Sequence, residues 1–161
     1  MPSTYEPVAT TTLGTSAATI TFSSIPNTYT DLIMVFRGNN DAGANRAGYI
    51  RFNGDSGTNY SYTLIQGDGS SAVSGRDSNI AQSFFANVLG DNTTAITQVM
   101  NYANTSTNKT FLSRGSSAST VTQAIVGLWR STAAINSITL SLNASNYASG
   151  TVVTLYGIKA A

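Results

Sequence analysis

The 161-residue sequence predicts an all-β fold: one antiparallel β-sandwich over residues 1–161, jelly-roll-like, with about nine to eleven short strands. Three observations carry that expectation. Only 9% of residues are charged, against roughly 25% in ordinary soluble domains, and Ser, Thr and Asn take their place. Those side chains compete for the backbone inside helices, whereas Thr, Tyr, Val and Ile suit a pleated surface. Apolar residues also recur with a period of two between clusters of Gly, Asn, Asp and Ser, and no helical pattern persists beyond two turns.

Taken in order, residues 6–13 and 17–24 read as a first pair of strands. Ala18, Ile20 and Phe22 share one face of the second strand, and Thr19, Thr21 and Ser23 the other. Residues 31–37 are apolar at successive positions, which predicts a central strand covered on both sides. A Gly/Asn/Asp loop over 38–48 leads to a strand at 49–52. The run Asn53-Gly54-Asp55-Ser56-Gly57 is a turn signal, because Asn and Gly accept positive φ. A strand at 59–66 precedes a long polar loop over 67–79, and 80–89 reads as either a strand or a short helix. Further strands are expected at 94–102, 109–114, 121–130, 136–142 and 151–159. In 136–142, Ile138, Leu140 and Leu142 alternate with Thr139, Ser141 and Asn143. Gly157 marks a bulge or a close backbone approach.

The chain has no His and no Cys. Ser-His-Asp triads, Cys-His nucleophile pairs and His-based metal sites therefore cannot be built, and the expectation is a non-enzyme without cofactor or metal. The acids Glu6, Asp31, Asp41, Asp55, Asp68, Asp77 and Asp91 occur singly, mostly in predicted turns, where Asx side chains cap the backbone. Turn chemistry is also preferred over convergence of Asp55, Asp68 and Asp77 on a hard cation such as Ca²⁺. A net charge of +1, with basic residues spread along the chain, predicts neither nucleic acid nor membrane as a partner. Charge this close to zero favours association instead. The N-terminal segment lacks the pattern of a secretory signal, so synthesis in a cytoplasm is expected.

Trp129 is expected in the core with Ile125. Tyr60 and Tyr62, on alternate positions of one strand, are expected at an interface or rim. The two polar loops place Asn40, Asp41 and Asn45 in one recognition segment, and Asp68, Ser70, Arg76 and Asp77 in another.

Several segments carry a resemblance across nearly the whole chain. They are Tyr5-Glu6-Pro7-Val8-Ala9-Thr10 leading to Ile20-Thr21-Phe22-Ser23-Ser24-Ile25-Pro26, and Arg51-Phe52-Asn53-Gly54-Asp55 with Asn59-Tyr60-Ser61-Tyr62. Leu128-Trp129-Arg130-Ser131 and Thr154-Leu155-Tyr156-Gly157-Ile158-Lys159 complete the set. In these the chain resembles a family of small virion structural proteins of tailed bacteriophages, including those of cyanobacteria. The resemblance implies a place on the virion surface after synthesis in the host bacterium, and carries over no catalytic or ligand residues. A capsid cement or decoration protein is the first expectation, bridging capsomers as a homotrimer bound to the major capsid protein. The alternative is a tail-associated module that binds a receptor or host surface glycan. A single domain without coiled coil or collagen-like shaft favours the first.

Overall fold

The computed structural model describes residues 4–117 and 121–159. Among these the chain forms twelve strands: β1 (Tyr5–Thr12), β2 (Thr19–Phe22), β3 (Asp31–Gly38), β4 (Arg46–Phe52), β5 (Tyr60–Gly67), β6 (Ala72–Ile80), β7 (Ser83–Val88), β8 (Thr93–Met100), β9 (Lys109–Ser117), β10 (Thr122–Trp129), β11 (Ile138–Leu142) and β12 (Val152–Ile158). All pairings are antiparallel. One sheet has eight strands in the order β1-β12-β3-β8-β9-β10-β5-β6, and the other has four in the order β2-β11-β4-β7. The two pack as a β-sandwich.

Setting aside β5, β6, β9 and β10 leaves two four-stranded sheets, β1-β12-β3-β8 and β2-β11-β4-β7. In chain order these eight strands change sheet at every step except β4 to β7, which are neighbours in the small sheet, as in a jelly roll. The hairpins β5–β6 and β9–β10 are insertions, and both join the same edge of the first sheet. That is why the sheets are unequal, and the strand number exceeds the sequence expectation by β6, which the sequence shows as a loop.

The period-2 pattern explains the core. In β3, Leu32, Met34 and Phe36 are buried while Ile33 and Val35 are only half-buried; the outward side of this strand has no second layer, contrary to the expectation of cover on both sides. Phe52 lies between Trp129, Phe111 and Tyr60 at ring separations of 5.6, 6.0 and 6.3 Å. Trp129 is a core residue, 2% exposed, as expected, and Ile125 is buried with it. Asn53 and Gly54 both take positive φ (52° and 66°) and turn the chain from one sheet to the other. Gly157 is a close approach: a Cβ there would lie 2.3 Å from the ring of Tyr29.

Two further sequence expectations are corrected, and one left open is settled. The first two strands do not pair with each other: β1 pairs with β12 and β2 with β11, in different sheets. The stretch 67–79 is mostly strand, since β6 pairs with β5 from Gly67↔Ala72 onward. Its sequence hid this because an edge strand exposed on both faces shows no apolar alternation. The ambiguous stretch 80–89 contains β7, a strand.

Candidate functional site

The residues picked from sequence are scattered by the fold. Tyr60, expected at a rim, is fully buried. Its ring stacks on Trp129 (6.2 Å, 15°), and its hydroxyl accepts from Phe52 N (3.0 Å) and donates to Phe52 O (3.2 Å). Burial pushes its phenol up to about 12. The first position of β5 lies inside the sandwich, so sharing a face with Tyr62 does not mean sharing an environment.

Asn40 is also structural rather than part of a recognition loop, being only 3% exposed. Its Nδ2 donates to Ala44 O (2.6 Å) and Val88 O (2.7 Å), and its Oδ1 accepts from Ala42 N (2.9 Å). The bond to Val88 ties the β3–β4 loop to β7, and the other two brace the loop internally. Asp41 accepts from Asn146 N (3.0 Å) and Nδ2 (3.2 Å), which hold its carboxyl below the usual range. Asn45 is exposed. Asp68 closes the β5–β6 turn by accepting from Ser71 N (2.7 Å), Ser70 N (2.9 Å) and Ser70 Oγ (2.9 Å), and those donors keep it strongly acidic. Arg76 and Asp77 stand on β6 and not in a loop. Asp55, in turn, accepts from Trp129 Nε1 (2.7 Å), Asn59 Nδ2 (2.9 Å) and Gly57 N (2.8 Å). Asp55, Asp68 and Asp77 do not converge, and no cluster of three acidic, His or Cys side chains occurs among the described residues.

Two surfaces emerge that bring chemistry together. The first is a cleft of about 410 Å³ beside the inserted β5–β6 hairpin, bounded by Tyr62, Asp77, Ile80, Ala81, Gln82, Tyr49, Arg51 and Asn143. Tyr49 and Arg51 alternate with buried Gly48, Ile50 and Phe52 on β4 and therefore project from the outward side of the small sheet. Phe84 pairs with Tyr49 across the β4–β7 ladder, yet is only 5% exposed. It is covered because Tyr62 reaches over from the hairpin (5.5 Å) and Tyr49 lies edge-on (6.4 Å). The guanidinium of Arg51 is fixed, with Nε donating to Ala81 O (3.3 Å) and Nη2 to Gln82 Oε1 (3.1 Å). Ser141 Oγ also donates to Gln82 Oε1 (3.3 Å). Partial burial, with the charge of Asp77 and the Tyr49 phenol nearby, raises the Tyr62 phenol above its usual value.

The second surface is the outward face of the eight-stranded sheet. Ladder register aligns Ile33, Gln98, Leu112, Val126, Thr63 and Arg76 in one row across six strands. Val35, Ile96, Arg114, Ala124, Ile65 and Ser74 form the next. Ile65 (64% exposed), Val126 (54%), Met100 (40%) and Leu112 (37%) stand open on this face. Among the described residues its charged strand positions are Arg37, Arg76 and Arg114 against the single acid Asp31, which accepts from Gln98 Nε2 (3.0 Å). With strands about 4.8 Å apart and about 3.4 Å per residue, the face measures about 34 Å by about 27 Å.

Of the residues singled out beforehand, the fold thus brings Tyr62 and Asp77 into one cleft, places Arg76 on the broad face, and leaves the others in turns, on a loop or in the core. Sequence reasoning missed Tyr49, Arg51, Gln82 and Asn143. The alternation of Tyr49 and Arg51 was visible, but nothing local shows that a hairpin two strands later would face them. No family model matches the chain, and no curated protein matches it.

Proposed function

We propose that this protein is a non-catalytic structural component of a bacteriophage particle, a decoration or cement protein that docks on the capsid through the outward face of its eight-stranded sheet. One observation carries the reading: a broad outward face with Ile65, Leu112, Val126 and Met100 exposed on it. Contiguous exposed apolar surface on a folded domain marks an interaction site. The face offers roughly the 800 Å² per partner that a stable protein contact uses. Its charge pattern selects among partners. Three arginines against one acid disfavour a second copy of the same face and suit an acidic surface, and the reading assigns that surface to the major capsid protein. Three copies around a capsid three-fold would multiply many modest contacts by lattice avidity. The resemblance of the sequence segments to phage virion proteins supports the same reading.

The test is co-sedimentation with empty capsids of a phage that encodes the chain, together with the copy number per virion by quantitative mass spectrometry. Binding at a stoichiometry comparable to the capsid protein, weakened by added salt and lost in Val126→Asp or Arg114→Glu, is the expected outcome. Failure of the unaltered chain to bind capsids refutes the proposal. A handful of copies per virion would move the protein to the tail.

A further inference from the structure

We propose that the cleft between the β5–β6 hairpin and the outward side of β4–β7 is a binding site for a neutral saccharide, with Tyr49 and Tyr62 as stacking surfaces and Arg51 and Asp77 as the groups that read hydroxyls. The proposal is independent of the capsid reading, because the cleft lies on the side of the hairpin opposite the broad face.

The aromatic part is built. Phe84 underlies both tyrosines and packs against each, so their rings are supported from below while both line the cleft. Such rings accept the apolar face of a pyranose without the entropy cost of ordering long side chains. The polar part suits hydroxyls, which both donate and accept. Arg51 has five N–H donors and the bonds to Ala81 and Gln82 use two of them, so it is held in place with donors remaining. Asp77 supplies carboxylate acceptors, while Gln82 and Asn143 supply amides. Arg51 and Asp77 are not spent on each other: the ion pair among the described residues is Lys159–Glu6, at 2.8 Å. One positive and one negative group give the cleft no net charge, so a phosphate or carboxylate ligand gains nothing that a neutral sugar lacks. The cleft, about 410 Å³, falls within the roughly 300–1,000 Å³ of small-molecule sites.

The test is saturation-transfer difference NMR on the full chain with maltose, cellobiose, lactose and diacetylchitobiose, using glucuronate and inorganic phosphate as charged comparators. The variants are Arg51→Gln and Asp77→Asn; the second lies on an exposed edge strand, where folding is insensitive to it, and circular dichroism checks both. Transfer to at least one neutral disaccharide, weakened about tenfold or more in each variant by loss of a charge-assisted hydrogen bond, is the expected result. Absence of transfer from all four disaccharides overturns the proposal. So does transfer that survives both substitutions, or transfer confined to the charged comparators. A protein that binds disaccharide but not capsids would refute the capsid reading and leave this site standing.

Discussion

Replacing Tyr60 by Phe removes one oxygen from the centre of the sandwich and leaves the ring stacked on Trp129. The hydroxyl accepts from Phe52 N (3.0 Å) and donates to Phe52 O (3.2 Å). Phe52 O keeps a second partner, Asp55 N at 2.9 Å, so the substitution chiefly orphans the Phe52 N–H. A buried donor without a partner costs about 1–3 kcal/mol, and about 2 kcal/mol is expected here. For a domain of this size that lowers the melting temperature by roughly 4–8 °C. Urea unfolding followed by the fluorescence of Trp129, the single tryptophan, measures the change from beside the altered ring. A second readout comes from the phenol itself. Its folded pKa, raised from 10.0 to about 12, means that the unfolded chain loses this proton first. Stability from this group is therefore intact below pH 10 and declines as pH rises from 10 towards 12, a decline that Tyr60→Phe reduces. Tyr62→Phe is the control, with an expected change below about 0.5 kcal/mol, as at a surface position. A Tyr60→Phe midpoint that also moves by less than about 0.5 kcal/mol would refute the placement of Tyr60 in the core.

Three further outcomes are expected. Gly127→Val drives a Cβ to within 2.1 Å of Phe111 ring atoms; with Phe52 packed edge-on behind that ring, a loss of about 3 kcal/mol or more should appear as reduced soluble yield and a lower urea midpoint. Asn40→Ala deletes one bond that ties the β3–β4 loop to β7 and two that brace the loop itself, for a thermal shift equivalent to about 3 kcal/mol. The Asp55 carboxyl is held below its usual pKa first by the Trp129 indole and then by Asn59. Its contribution to stability is thus complete above the unfolded value of about 3.9 and disappears as pH falls below it, so Asp55→Asn should flatten acid unfolding monitored by circular dichroism.

The parts of the fold that could be read from sequence are those where one face is covered. Ile138, Leu140, Ile20 and Phe22 alternate because the other sheet lies over them and solvent lies behind. Residues 67–79 were misread because β6 is an edge strand with little packed on either side, and a strand without burial leaves no periodic mark. Pairing was the other gap. The short separation of β1 and β2 invited a hairpin, whereas a jelly roll sends consecutive strands to opposite sheets. For the candidate site the limit was of the same kind. Tyr62 and Asp77 were visible as residue types, but Tyr49 and Arg51 join them through a crossing of sheets that no local pattern encodes. Tyr60 differs from Tyr62 by two positions along β5 and by its whole surroundings, a distinction set by how far the small sheet extends over the strand.

Both surfaces trace to the same insertions, and that makes their roles separable by substitution. An eight-stranded jelly roll without β5–β6 and β9–β10 would have a four-stranded outward face, too narrow for a standard protein contact, and nothing to overhang β7. Adding the two hairpins on one edge doubles the width of that face and at the same time carries Tyr62 over Phe84. The outward side of β5 presents Thr63 and Ile65 to the broad face, and the opposite side presents Tyr62 to the cleft. Under the two proposals, substitutions two or three residues apart on one strand should therefore act on different functions. Ile65→Glu combined with Val126→Glu, at positions already 64% and 54% exposed, should leave the stability to urea within about 0.5 kcal/mol. It should abolish capsid binding and preserve disaccharide binding. Asp77→Asn should weaken disaccharide binding about tenfold or more and preserve capsid binding. Loss of both activities in the Ile65→Glu/Val126→Glu double variant, with stability unchanged, would mean that the two faces of the hairpin do not act independently.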